Sequence, residues 1–268
     1  MGKICIIGPR SSGKTTYLAG LAYWPDKQRK SKRSSLFTIQ AIGDDAKTLK
    51  AKAEDIICQG ASLPPTDIGG GIYKAPLYQF QIQFKHFLKK LDEISLFVRD
   101  YPGEIFEGLA SGVPNPLHEE FIQKSLMKDV EGCLIFLPEW TNGIDDSYSK
   151  ILERFTELMD REGRLNNLRL AVAMSKCERG ELWPGRLEPE IDIFDVHLPK
   201  TKETLRAKIP RHNLQFYTVS TFGVLRRNDP RPNRIDIAGK GGRHAVLREP
   251  SRWRPYNMLA PLYWLSKG

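Results

Sequence analysis

The chain predicts an α/β fold of three layers, a mostly parallel β-sheet with one antiparallel edge strand and helices on both faces. Three observations carry this. Short apolar runs recur, KICII (3–7), GCLIFLP (132–138) and LRLAVAMSK (168–176), and they are too uniformly apolar to keep one face in water. Helical stretches separate them, above all SYSKILERFTELMDREG (147–163), which is the alternation of a parallel sheet with crossover helices. One segment differs: QFQIQF (79–84) alternates, with Phe80, Ile82 and Phe84 on one face and glutamines on the other, so it is a half-buried strand paired as a hairpin with ISLFVRD (94–100).

Each remaining element follows from local chemistry. KICII runs into a glycine-framed loop and then TTYLAGLAYW, a helix expected to end before Pro25. LFTIQAI (36–42) reads as a strand, and DDAKTLKAKAEDIICQG (44–60) as a helix opened by an Asp cap and stopped at Gly60. SLPPTDIGGG (62–71) is a Pro- and Gly-rich loop. TKETLRAKI is helical, LQFYTVSTFG adds a last strand, and PYNMLAPLYWL forms a short closing helix. Between the last two lies a segment rich in Pro, Gly and Arg with no sustained period, expected to be an extended or partly disordered arm. The organisation is therefore a domain over 1–224, with an inserted strand and helix at about 36–63, and a basic arm with its closing helix over 225–268.

Composition bounds the function. The 268 residues suit one sizeable core with an appendage, and no apolar run approaches the roughly 18 residues of a membrane span. MGKICII lacks the hydroxyl residue of a myristoylation motif and no charged-then-apolar leader precedes the first strand, so the chain is expected in the cytoplasm. Cys5, Cys58, Cys133 and Cys177 stand singly, which argues against a disulfide frame or a zinc site. The net charge of +9 is concentrated in KQRKSKR (27–33) and in 226–254, where nine Lys/Arg face three Asp/Glu. Such runs are either solvated loops or contacts for an acidic partner, an anionic membrane surface or nucleic acid. The arginines near Trp253 and Tyr256 suit phosphate contact with base stacking, although no nucleic-acid motif accompanies them.

The chemistry gathers at strand ends. GPRSSGKT (8–15) fits G-x-x-x-x-G-K-[ST] with a strand before it and a helix after it, the context a phosphate-binding loop needs. The backbone from Gly8 through Ser11, Ser12 and Gly13 to Thr16 would wrap phosphates, Lys14 would reach their outer end, and Thr15 would ligate Mg²⁺. RDYPGE follows the next strand; Asp100 is placed to hold Mg²⁺ and Gly103 to offer its N–H to a terminal phosphate, while Asp, Pro and Gly are equally the residues of a plain tight turn.

The order of these motifs resembles the small Ras-like GTPases: a P-loop, then D-x-x-G, then a strand ending in SKCE (175–178), then a strand ending in VST (219–221). The DYPGE spelling and the extra strand and helix before LPPT look like the bacterial double-GTPase group of conflict and signalling systems. The resemblance spans about residues 3–224 and implies a three-layer P-loop NTPase fold that binds GTP or GDP with Mg²⁺ and switches a regulatory protein partner. It further implies that Glu178 accepts hydrogen bonds from guanine, that Ser175, Lys176 and Glu178 form the base-reading loop, with Ser175 a weaker substitute for the Asn or Thr that ties this loop to the P-loop, and that Ser220 and Thr221 lie near the base. Thr66, just before the alternating strand, takes the place of the switch threonine on Mg²⁺.

Departures from the family pattern bear on turnover. Glu178 replaces the usual Asp and is one methylene longer. Glu104 stands where the family has the glutamine that orients water; an ionised carboxylate cannot donate a hydrogen bond and repels the terminal phosphate, so hydrolysis should be slow. Arg10 occupies a loop position often held by glycine, and it either points to solvent or a partner or folds over the phosphates as an arginine finger in cis. Lys14, Glu104 and Arg10 are the candidate catalytic residues. Three functions remain open on sequence alone: a slowly hydrolysing GTP switch, an ATP-using P-loop phosphotransferase with 36–63 as an acceptor lid, and a nucleotide-binding module without turnover.

Overall fold

A computed structural model of the chain describes residues 3–30, 37–61, 76–84, 92–111, 116–126, 128–141, 143–237 and 244–267. Seven strands form one sheet: β1 (Lys3–Ile7), β2 (Phe37–Ile42), β3 (Leu77–Phe84), β4 (Asp92–Arg99), β5 (Val130–Leu137), β6 (Arg169–Ser175) and β7 (Leu214–Val219), in the order β2-β3-β4-β1-β5-β6-β7. From β4 to β7 every pairing is parallel, and β3 runs antiparallel to β4 and to the outermost strand β2. The expected hairpin is there in register, Phe80 opposite Leu96 and Ile82 opposite Ile94. This is the α/β architecture the alternation predicts.

Side chains of β1 show how the layers are made. Ile4 and Ile6 pack on one face with Tyr17, Leu18 and Leu21 of α1 (Lys14–Lys30) and with Leu49, Ala53 and Ile57 of α2 (Asp44–Gln59). Cys5 and Ile7 pack on the other face with Ile151, Leu152 and Phe155 of a later helix, Ile144–Arg161, and Leu205 of another, Pro199–Lys208. In chain order those two are α5 and α7. The first follows α3 (Gly103–Gly108) and α4 (Pro116–Ser125), and between them come short helical turns that include α6 (Asp195–His197). The central strands are apolar on both faces because helices cover both.

Three local expectations are corrected. α1 does not end before Pro25 but continues through it to Lys30. Tyr23 stacks on Trp253 and Trp24 packs on Phe37 beside that proline, so tertiary packing offsets its lost N–H. α2 is capped by Gly43 rather than an Asp; Asp45 instead accepts the Leu77 N–H at 2.8 Å, while Gly60 ends the helix at φ 70° as expected. Thirdly, the basic segment is not an extended arm where it is described. It forms β8 (Val224–Arg226), β9 (Asp229–Pro232), β10 (Arg234–Asp236), β11 (Ala245–Leu247) and the helix α8 (Ala260–Lys267), with Leu247, Trp253, Met258, Leu262 and Leu265 buried against the α1 face of the sheet. A Cβ on Gly132 of β5 would sit 2.6 Å from Leu265, so α8 lies directly on the strand. Among the described residues, no helix is long and apolar enough to cross a membrane.

Candidate functional site

β1 delivers the glycine loop to the carboxyl end of the parallel sheet, where loops after β4, β6 and β7 also converge. The loop conformation explains its glycines. Gly8 has φ 152° and a Cβ there would lie 2.5 Å from the Phe136 carbonyl; Gly13 has φ 90°, and Ser11 takes a left-handed φ of 58°. α1 begins directly at Lys14, so the loop leads into a 17-residue helix whose first amides and dipole favour an anion.

Lys14 is 8% exposed and donates to the carbonyls of Gly8 (3.0 Å) and Pro9 (3.3 Å) and to Ser12 Oγ (3.5 Å). Burial pushes its ammonium below the ordinary lysine range, and Asp100, Glu104 and Glu107 oppose that shift. Next to it, Thr15 Oγ1 donates to Asp100 Oδ2 at 2.6 Å. Burial raises the Asp100 carboxyl, against the pull of Thr15 and Lys14. The Thr15 hydroxyl and the desolvated Asp100 carboxylate, held together beside a buried lysine, are oxygen donors of the type hard cations take.

α3 seats its first residue on this loop. A Cβ on Gly103 would fall 2.0 Å from the Arg10 nitrogen, so only glycine allows the approach. Glu107 Oε1 then accepts the Arg10 backbone N–H at 2.6 Å, and the Arg10 guanidinium pairs with Glu104 Oε1 at 2.5 Å. Arg10 thus lies along α3. Glu107 was not among the sequence candidates, although its i,i+3 relation to Glu104 puts both on one helix face.

The SKCE loop after β6 joins the P-loop from the other side. Ser175 Oγ donates to the Ser12 carbonyl at 2.9 Å and Lys176 Nζ to the Ser11 carbonyl at 2.6 Å. Lys176 adopts φ 59°, and burial, aided by Arg234 and Arg179, pushes its ammonium down to about 8. Glu178 is 1% exposed; its Oε1 accepts from Arg234 Nη1 at 3.4 Å, and its Oε2 has no hydrogen-bond partner among the described residues.

One cavity runs between the two ends. Of the sequence candidates, Ser11, Ser12, Gly13, Lys14, Thr15, Thr16, Asp100, Ser175, Lys176, Glu178 and Thr221 line it. Gly8, Arg10, Gly103 and Glu104 do not line it, the Arg10–Glu104 ion pair being exposed, and Thr66 lies outside the described residues. Ser220 is fully buried and structural: its Oγ accepts the Gly223 N–H at 2.7 Å, and its backbone pairs with Tyr256. Tyr17, Phe136, Val219, Phe222, Arg234 and Ala245 complete the lining and were missed. Arg234 and Ala245 come from the tail, which carried no periodic signal. Trp253, read as a candidate stacking surface, is instead buried on Tyr23, its Nε1 donating to the Thr221 carbonyl at 2.7 Å.

No protein-family model matches the chain, and no curated protein is similar to it. Solved structures similar to it include Sup35 complexed with GMPPNP, at 10% identity and a TM-score of 0.38, and Sup35 complexed with GDP, at 10% identity and a TM-score of 0.34. Each match covers 82% of this chain, and the chain spans 37% of the length of each Sup35 structure.

Proposed function

We propose that this chain is a Mg²⁺-dependent guanine-nucleotide switch that binds GTP, hydrolyses it slowly to GDP and regulates a partner according to which nucleotide it holds. The observation that supports this most is the pairing of ends within one cavity: Lys14 with the Thr15–Asp100 couple at one end, and at the other the buried carboxylate of Glu178 with Oε2 unengaged among the described residues. A buried acceptor without a donor is costly, and a ligand carrying N–H groups relieves that cost. Guanine presents two adjacent N–H donors to a carboxylate, whereas adenine sets a ring acceptor beside its amino group.

The phosphate end suits the rest of such a ligand. The loop amides and Lys14 would bind the phosphates, Thr15 and Asp100 would hold Mg²⁺, and the ion's contribution would be to neutralise phosphate charge. Gly103 and Thr66 are the proposed switch residues, with Thr221 on the base side. Slow turnover is supported by Glu104, a carboxylate already paired with Arg10 and unable to donate to an attacking water.

Calorimetric titration with GDP and ADP in Mg²⁺ tests the reading. GDP should bind more tightly than ADP by about tenfold or more, and Glu178→Ala should abolish the difference. Equal or tighter ADP binding overturns the guanine reading in favour of an ATP-using phosphotransferase. Phosphate release no faster than a Lys14→Ala control would leave a binding module without turnover.

A further inference from the structure

Arg234 reaches the cavity from β10, 56 residues beyond Glu178 in the chain. Its side chain is 11% exposed and its guanidinium lies 5.8 Å from the Phe222 ring centroid, with Asp236 as a second carboxylate partner. The backbone that carries it is held firmly. Asn233 is fully buried, donates its N–H to the Gly223 carbonyl at 2.9 Å, and brackets Glu249 by accepting its N–H at 2.8 Å and donating Nδ2 to its carbonyl at 3.2 Å. Arg234 itself sits opposite Leu247 in the β10–β11 ladder. A guanidinium present only to neutralise Glu178 would close on both oxygens as a fork. Here it takes Oε1 alone and leaves Oε2 unpartnered in a cavity that both residues line.

We propose that Arg234 is a specificity-determining residue of the nucleotide site: it holds the Glu178 carboxylate for the N–H donors of the base and offers its own N–H groups to a carbonyl oxygen on the same base edge. This rests on the guanine reading above and deepens it. Guanine carries N–H donors next to a carbonyl, so carboxylate and guanidinium together match both halves of its edge. Adenine has an amino group where guanine has the carbonyl, and that group would meet a guanidinium donor-to-donor. The guanidinium therefore adds a donor-to-donor clash at the carbonyl position to the acceptor-to-acceptor clash that the carboxylate makes with the adenine ring nitrogen.

The experiment compares wild type, Arg234→Ala and Arg234→Lys by calorimetry with GDP, ADP and inorganic pyrophosphate in Mg²⁺. Pyrophosphate uses only the phosphate end and reports whether the cradle is intact. Arg234→Ala should weaken GDP by about tenfold or more, leave pyrophosphate unchanged and narrow the GDP-to-ADP ratio, with Arg234→Lys intermediate because it keeps the charge without the fork. Unchanged or tighter GDP binding by Arg234→Ala overturns the role assigned to Arg234. So does an equal loss of GDP and pyrophosphate, which would mark a structural residue. The guanine reading is judged separately, from the wild-type ratio: no GDP preference there removes both, whereas a preference untouched by Arg234→Ala removes only this one.

Discussion

Lys176 concentrates the electrostatics of the site in one side chain. Its Nζ donates to the Ser11 carbonyl at 2.6 Å in a setting that desolvates the ammonium and places Arg234 and Arg179 nearby, which pushes it down to about 8 from an ordinary 10.5. Between those two values the unfolded chain binds more protons than the folded one, so this residue makes stability rise with pH across that window. Urea midpoints measured from pH 8 to 10.5 in the nucleotide-free protein should therefore shift in favour of wild type relative to Lys176→Met. Parallel pH courses would show that the lysine is not desolvated as described. Its partner Ser175 was read as a weak tie to the P-loop, and its hydroxyl does reach the Ser12 carbonyl at 2.9 Å. The resemblance pointed to the Ser175 contact, whereas the Lys176 contact with Ser11 emerged only from the structure.

At the scale of elements, the seat of α3 on the P-loop couples two segments nearly a hundred residues apart. Gly103 permits it sterically, and Glu107 fastens it through the Arg10 N–H. In Gly103→Ala the new methyl would have to displace Pro9 and Arg10 backbone, an overpacking cost of about 1–3 kcal/mol. The expected outcome is a lower melting temperature with weaker pyrophosphate binding, since the displaced backbone is the proposed phosphate cradle. A variant that melts and binds like wild type would mean that α3 does not rest there. Sequence placed Gly103 near phosphate, but the acid pair behind it was invisible because Glu104 and Glu107 matter only once the helix docks. α1 makes the same point: Pro25 reads as a stop, and aromatic packing from the distant Trp253 carries the helix past it.

Over the whole molecule, the C-terminal segment is part of the core and of the site. Trp253 is 5% exposed, stacks on Tyr23 of α1 and bonds the Thr221 carbonyl in the loop beside the cavity. Trp253→Ala should cost about 3–5 kcal/mol of unfolding free energy in urea titration, on the scale of a large buried aromatic. A loss below about 1 kcal/mol, typical of a surface substitution, would show that this segment does not pack as described.

By itself the amino-acid sequence determined the layered α/β fold and that Lys14, Thr15 and Asp100 would meet at the strand ends, where the proposed phosphate end of the site lies. Both depend on local signals, hydrophobic period and glycine spacing, that need no knowledge of distant contacts. Only the tertiary structure decided that the basic tail folds onto the sheet and that Arg234 stands at Glu178. β10 and β11 are three residues each, too short to show a period, and Asn233 anchors them by donating to the Gly223 carbonyl in a loop the chain made earlier. Pairings of that kind carry no local pattern, since their free energy comes from surfaces that meet only after the sheet has formed.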